Sequence, residues 1–248
     1  MYDPRAIRLA SYQKLPAGAP AFASNDASEF RSYKGIPHHG PIPADIQREA
    51  IHAYYASVSF IDAQVGKLLD ELDRLGVREN TIVILWGDHG YQLGEHGTWT
   101  KRTNWELAAR VPLIISVPGQ NNAGERTDAL VELLDMYPTL AELCDLTPPS
   151  GLDGRSFVPL LENPNQPWKD SAFTMIQKPI PDLGDGFGRA IRTDRYRFID
   201  WSGPDSDERI YELYDELADP DETVNIANRP ENAALVAKLA EQLYKTGR

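Results

Sequence analysis

The stretch NTIVILWGDHGYQLGEHGTWTK, residues 80–101, decides how this chain is read. Its first part, Thr81-Ile82-Val83-Ile84-Leu85-Trp86, is apolar without alternation and rich in branched side chains. That pattern predicts a strand covered on both faces, as in a parallel sheet. Glycines, carboxylates, imidazoles and a lysine follow immediately. Ligands of open α/β sheets bind at the carboxyl ends of strands, so the position of these residues counts as well as their type. Asp88 and His89 would point to opposite faces of a regular strand, but Gly87 and Gly90 on either side allow a turn that brings both onto one ion. A carboxylate and an imidazole make half a metal site. Calcium takes roughly six to eight oxygens and needs more than this pair, whereas zinc accepts the pair with one or two further ligands. The plain alternative is that Asp-His-Gly is only a turn after a strand. Likewise His96 and the pair His38-His39 read as structural imidazoles, Lys101 and Arg102 as solvated charges, and Tyr91, Trp99 and Trp105 as core aromatics.

Upstream, Ile46, Ala50, Tyr54, Val58, Ile61, Val65, Leu68, Leu72 and Leu75 recur at spacings of three and four, which predicts one apolar face of a long helix. Asp45 suits its start and Gly76 its end. Residues 1–43 hold Pro16, Pro20, Pro37, Pro41 and Pro43 and no lasting period, so they predict a long irregular segment, either a functional loop or one that has lost what it packed against. Downstream, residues 112–117 repeat the buried-strand pattern, and Asp135 with Pro138 opens a helix reaching Leu146. Helix, strand, loop, strand, helix is an α/β order. Pro148-Pro149 and the turn residues 163–167 separate a main unit, 1–163, from a small unit, 168–248. In the second unit, residues 172–176, 190–192, 196–201 and 210–213 are strand candidates and 230–244 a closing helix.

Composition sets the outer limits. With 248 residues, 42% hydrophobic and 25% charged, the chain has the make-up of an ordinary globular protein. Its longest apolar run, residues 82–86, is far too short to span a membrane. Twenty-five basic against 37 acidic side chains give a net charge of −12, which argues against nucleic acid as a partner and leaves room for a small anion where basic residues gather. Cys144 is the only cysteine, which excludes an intrachain disulfide and a thiolate cluster. Met1-Tyr2-Asp3-Pro4-Arg5 carries no apolar stretch of a secretory signal, and this leaves the compartment open. No GxSxG, Walker, HExxH or GxGxxG pattern occurs.

Longer segments carry a resemblance. GPIPADIQREAIHAYYASVSFIDAQVGKLLDELDRLG (40–76), the decisive stretch continued to VPLIISVPG (80–119), and LVELLDMYPTLAELCDLTPPSGLDGRSFVPLL (130–161) resemble the sulfatase family, most closely its iduronate-2-sulfatase branch. AIRTDRYRFIDW (190–201) and ELYDELADPDETVNIA (212–227) are similar to that family's C-terminal subdomain. The resemblance implies an alkaline-phosphatase-like α/β fold with a small C-terminal α+β subdomain. It also implies hydrolysis of a sulfate ester on a sulfated glycan, such as a 2-O-sulfated uronic acid of a glycosaminoglycan. One calcium ion and a formylglycine made from Cys or Ser in a C/S-x-P-x-R motif would serve the reaction. Asp88 and His89 match the late pair of calcium ligands, Lys101 matches the lysine that contacts the sulfate group, and Tyr91 matches a position near the substrate pocket.

The chain also departs from the family. No C/S-x-P-x-R motif is present, Cys144 continues as Asp-Leu-Thr, and the family's early aspartates, lysine and histidines have no counterpart. The expectation is therefore a C-terminal half, inactive until joined by a missing N-terminal half. Rival readings are a phosphatase or phosphonate ester hydrolase of the same superfamily, and a non-catalytic glycan-binding module. The branch resemblance favours an exported enzyme, periplasmic or extracellular.

Overall fold

The computed structural model describes residues 1–25 and 27–245. The leading segment is irregular, as its prolines require, apart from one short helix, α1 (Ser28–Arg31), and two 3-10 turns. It is nonetheless fastened down. Ile7, Ala27 and Phe30 are buried with Ile51 and Trp99, and Ala17 forms a parallel bridge to Val224. Of the two readings of residues 1–43, this favours the functional loop.

Helix α2 (Ala44–Arg74) has Asp45 in its first turn and ends at Leu75, after which Gly76 takes a left-handed φ of +67°. A glycine there is the normal stop, since only it adopts that conformation without strain. The periodicity located the helix correctly, but the expected core face is covered only near its start. Ile51 is buried, whereas Val58, Ile61, Leu68 and Leu75 are 54% to 68% exposed.

Strand β1 (Val83–Trp86) pairs with β4 (Leu113–Ser116), and the pairing is antiparallel, Val83 opposite Ser116 and Trp86 opposite Leu113. This corrects the expectation of parallel strands covered on both faces. An apolar run shows that a strand wants cover, not which neighbour it receives or in which direction. The intervening hairpin, β2 (Gln92–Leu93) and β3 (Trp99–Thr100), and the helical turn α3 (Glu106–Ala109) reverse the chain. One side of the ribbon is covered, because Ile84, Leu113 and Ile115 pack on Met136, Phe157 and Leu160. The other is open, with Leu85 and Ile114 at 40% and 60% exposure, and on the covered side the strand-end Trp86 is itself 49% exposed.

Helix α4 (Met136–Leu143) stops three residues before Leu146, and Asp135 does not cap it. The buried Asp135 carboxylate instead accepts from the backbone N–H groups of Glu132 and Arg155, both at 2.8 Å, and pairs with Lys169 at 2.6 Å. It thus pins three loop segments together. Helix α5 (Val158–Glu162) follows.

The remaining chain forms a four-stranded antiparallel sheet in sequential order, β5 (Ser171–Ile180), β6 (Gly184–Thr193), β7 (Tyr196–Ser202) and β8 (Arg209–Asp215), closed by helix α6 (Ala233–Lys245). The first two strands run longer than the side-chain pattern suggested. Glycines hid the first half of β6 and Pro179 the end of β5, and at Gly188 the reason for glycine is space, since a Cβ would lie 2.4 Å from the Trp201 ring. Both faces of this sheet are covered. Ile191, Phe198 and Leu213 pack against Val236, Leu239 and Leu243 of α6, while Ala190, Ile199, Trp201 and Tyr214 enclose Trp105 and Ala23 from upstream. Within that second layer the buried Glu212 accepts from Trp201 Nε1 at 2.6 Å and from Tyr214 Oη, and burial raises its carboxyl above the usual range. Buried Arg197 pairs with Glu106, Glu216 and Glu222, tying α3 to the sheet.

Candidate functional site

Asp88 and His89 sit where β1 ends. Neither Gly87 nor Gly90 uses a left-handed φ, so the glycines do not work as the sequence suggested. Gly90 is required by close approach instead, because a Cβ there would lie 2.0 Å from the Leu107 carbonyl oxygen, and its N–H donates to Ala108 O at 2.9 Å. The end of α3 thereby fixes the turn. Asp88 Oδ1 accepts from the His89 backbone N–H at 3.0 Å, and His89 Nδ1 lies 2.8 Å from Gly90 O. A carbonyl can only accept, so this bond places the ring proton on Nδ1 and leaves the Nε2 lone pair available. Nε2 is 3.7 Å from Asp88 Oδ2, and the Asp88 side chain is 85% exposed. Two open donor atoms at that separation suit a single cation between them. Among the described residues no group of three or more His, Cys, Asp or Glu is disposed to hold a metal ion.

Lys101 follows β3. Its neighbours Thr100 and Arg102 both have positive φ, +74° and +73°. A branched residue such as Thr in that region is a true outlier, costing on the order of 1–3 kcal/mol, and such strain persists where the surroundings enforce it. The leading segment does the enforcing. Asn25 Nδ2 donates to Lys101 O at 2.5 Å, Phe30 stacks on Trp99 at 4.4 Å, and the Lys101 ammonium donates to Glu29 Oε1 at 3.0 Å. Glu29 also accepts from the Tyr33 hydroxyl at 3.4 Å. Tyr33 in turn engages Tyr91, whose ring lies 5.0 Å from that of Tyr54 on α2. Burial pushes the Tyr91 phenol well above its ordinary value, so it is a neutral hydroxyl at any working pH.

The structure therefore brings Tyr91 and Lys101 into one chain of contacts and Asp88 and His89 into another. No hydrogen bond or ion pair among the described residues joins Lys101 to the Asp88 and His89 pair. Glu29 and Asn25 were invisible to sequence reasoning, because a single helical turn in an irregular segment leaves no period. His96 is structural, as its plain reading held. It is buried, with Nε2 2.7 Å from Asp221 O and Nδ1 3.2 Å from Gln92 Nε2, and burial lowers its pKa. Trp99 and Trp105 are core residues, and His38 and His39 lie exposed in the leading segment.

Comparison with known proteins gives this geometry a context. The sulfatase family profile matches residues 9–146, and the profile described as N-sulphoglucosamine sulphohydrolase, C-terminal, matches residues 94–248. Iduronate 2-sulfatase of Mus musculus is 31% identical over an alignment covering 96% of this chain and 56% of that protein. A structure solved in complex with its substrate D-glucosamine-2-N,6-O-disulfate is 29% identical, with a TM-score of 0.73, over 88% of this chain and 44% of that one. A phosphonate monoester hydrolase from Silicibacter pomeroyi superposes over 99% of this chain and 51% of its own with a TM-score of 0.81, and at 24% identity this likeness speaks for the fold alone. The chain thus spans about half the length of the relatives it matches. Its fold is the alkaline-phosphatase-like α/β fold, and the chain belongs to the sulfatase family.

Proposed function

We propose that this chain supplies the metal-binding pair and the substrate-facing lysine of a sulfuric ester hydrolase acting on a sulfated glycan. The observation that carries the reading is Lys101, held between two residues of positive φ with its ammonium already on a carboxylate oxygen 3.0 Å away. An enforced cation with an anionic partner is the arrangement a sulfate group needs. Lys101 would bind a sulfuryl oxygen in place of Glu29 and stabilise the charge that develops on the leaving oxygen. Tyr91 would line the sugar pocket as a neutral hydroxyl. Asp88 Oδ2 and His89 Nε2 would hold calcium, the carboxylate being the natural ligand for a hard cation and the imidazole the less usual one. A calcium ion bound there would supply charge neutralisation at the sulfate oxygens.

The remaining ligands and the formylglycine nucleophile would come from an N-terminal half, because no C/S-x-P-x-R motif lies within these residues. The same partner would cover the open side of the ribbon and the stripe on α2. A substrate of the glycosaminoglycan type, with a 2-O-sulfated uronic acid as the specific case, is supported by the likeness to the mouse iduronate 2-sulfatase and to the structure that holds a sulfated glucosamine. The test pairs two assays. The isolated chain, given calcium, should show no turnover of an aryl sulfate or a sulfated disaccharide, since covalent catalysis cannot start without its nucleophile. In the completed enzyme Asp88→Ala should lower calcium content more than His89→Asn. Turnover by the isolated chain that Asp88→Ala abolishes, or full calcium occupancy in Asp88→Ala, would refute the assignment.

A further inference from the structure

On the outer face of the β5–β8 sheet, beyond the last turn of α6, lies a cleft of about 570 Å³. That volume is typical of small-molecule sites. Phe187, Arg189, Ser202 and Arg209 line it, and their side chains share the sheet face of Ile191, Phe198 and Leu213, which packs on α6. Trp105 and the Lys101 loop lie on the opposite side, so this cleft is separate from the site described above.

Two guanidinium groups, one from β6 and one from β8 on either side of β7, face it. Arg189 lies 4.8 Å from the Phe187 ring centroid and donates to Ser202 Oγ at 3.1 Å, with no carboxylate within ion-pair distance among the described residues. Arg209 lies 5.8 Å from the Tyr244 ring centroid, and its nearest carboxylate oxygen, Asp200 Oδ2, is 3.9 Å away. That oxygen is already taken by the Tyr244 hydroxyl at 2.6 Å, and the other, Oδ1, is buried with no donor among the described residues. A guanidinium laid on an aromatic ring keeps its plane and leaves its N–H edge free for an oxyanion. Asp205 and Asp207, in the turn between β7 and β8, complete the lining.

Two guanidiniums against two carboxylates leave the lining without net charge, so a bare anion gains little there. A sugar bearing one acidic group and several hydroxyls matches both sets. The chain as a whole carries −12, so the hold on an anionic group rests on directed guanidinium hydrogen bonds and not on the overall field. We propose that this cleft binds an acidic saccharide unit, with its sulfate or carboxylate on Arg189 and Arg209 and its hydroxyls on Asp205 and Asp207. It would anchor a polyanionic glycan apart from the Lys101 site, and the choice of a glycan rests on the sulfatase reading.

Calorimetric titration of the full chain with a sulfated uronic-acid disaccharide tests this, with the desulfated disaccharide and inorganic sulfate as the other probes. The sulfated disaccharide should bind at least tenfold more tightly than either. Arg189→Ala and Arg209→Ala should each weaken it at least tenfold, and Arg189→Lys, which keeps charge and stem while losing the fork, should weaken it severalfold without disturbing the fold. Arg126→Ala, an exposed cation elsewhere, should leave it within twofold. Unchanged binding in both arginine-to-alanine variants, or equal loss in Arg126→Ala, would overturn the cleft. If the arginine variants behave as expected while a completed enzyme hydrolyses no sulfate ester, the sulfatase reading falls and the cleft stands.

Discussion

The β5–β8 sheet and the β1/β4 ribbon are both antiparallel and both apolar, yet they meet opposite fates. In the sheet, Ala190, Ile191, Phe198, Trp201, Leu213 and Tyr214 have no measurable exposure, because α6 closes one face and upstream residues close the other. In the ribbon, Trp86 and Ile114 are about half open to solvent, and four apolar positions along α2 are more than half open. The difference teaches where the chain is self-sufficient. The sheet completes its own core, whereas the region that carries the candidate site stabilises itself through one face only. Apolar surface of that extent marks a place where another surface belongs.

Four measurements press on this contrast. The largest effect should come from Trp201→Ala, which empties a fully buried site under Gly188 and removes a donor from Glu212. It should cost about 3–5 kcal/mol by denaturant unfolding, and a loss below about 1 kcal/mol would mean the sheet is not the stable half. Next comes the site. In a completed enzyme Lys101→Ala should lower kcat by roughly 10²-fold, about 3 kcal/mol, with KM moving much less, while the exposed neighbour Arg102→Ala stays within a few-fold. Near-parental kcat in Lys101→Ala, or greater damage from Arg102→Ala, would show that the lysine has been misassigned.

The third concerns the seam between the two regions. Burial lowers the pKa of His96 from the ordinary 6.5, so the folded state prefers the neutral ring. Its contribution is present above pH 6.5 and is lost as pH falls through the folded value, by at most about 1.4 kcal/mol per pH unit. The buried acids with raised pKa, Glu212 among them, act in the opposite sense, so the comparison must be between the parent and His96→Asn across pH 4.5 to 7.5. A parental profile as flat as the variant's would detach His96 from folding. The smallest effect should be at Leu68→Ala on α2. Alanine is the better helix former and little burial is lost, so stability should stay within about 0.5 kcal/mol. A cost of several kcal/mol in the chain by itself would break the contrast, whereas the same cost appearing only in a completed enzyme would sharpen it.

What the sequence made legible follows from what leaves a period. The spacing from Ile46 to Leu75 located α2, and the apolar runs located β1 and β4, because helix and strand repeats survive whatever packs against them. Direction of pairing does not survive, and the ribbon was therefore expected parallel. The Asp88-His89 turn was visible as residue types at a strand end. The reason for Gly90 was not, since it lies in a carbonyl contributed by α3. Lys101 stood in the motif, but its strained flanks and its hold on Glu29 depend on a segment with neither repeat nor signature.

Besides the early fasteners Asn25, Glu29 and Phe30, the site loop and the leading segment are held by contacts from late in the chain. Trp105 Nε1 reaches Tyr214 across 109 residues, His96 reaches the Asp221 carbonyl across 125, and Ala17 bridges to Val224. Closing such distant contacts is slow, because the entropy of bringing far segments together comes before any gain from their packing. During synthesis the loop with Asp88 and Lys101 leaves the ribosome with its early partners, but well before the segments that hold His96 and Trp105 exist, so it stays only partly fastened until nearly the whole chain is made. Any interruption of translation before Asp221 would release a chain with every candidate site residue present and only the early half of its fasteners.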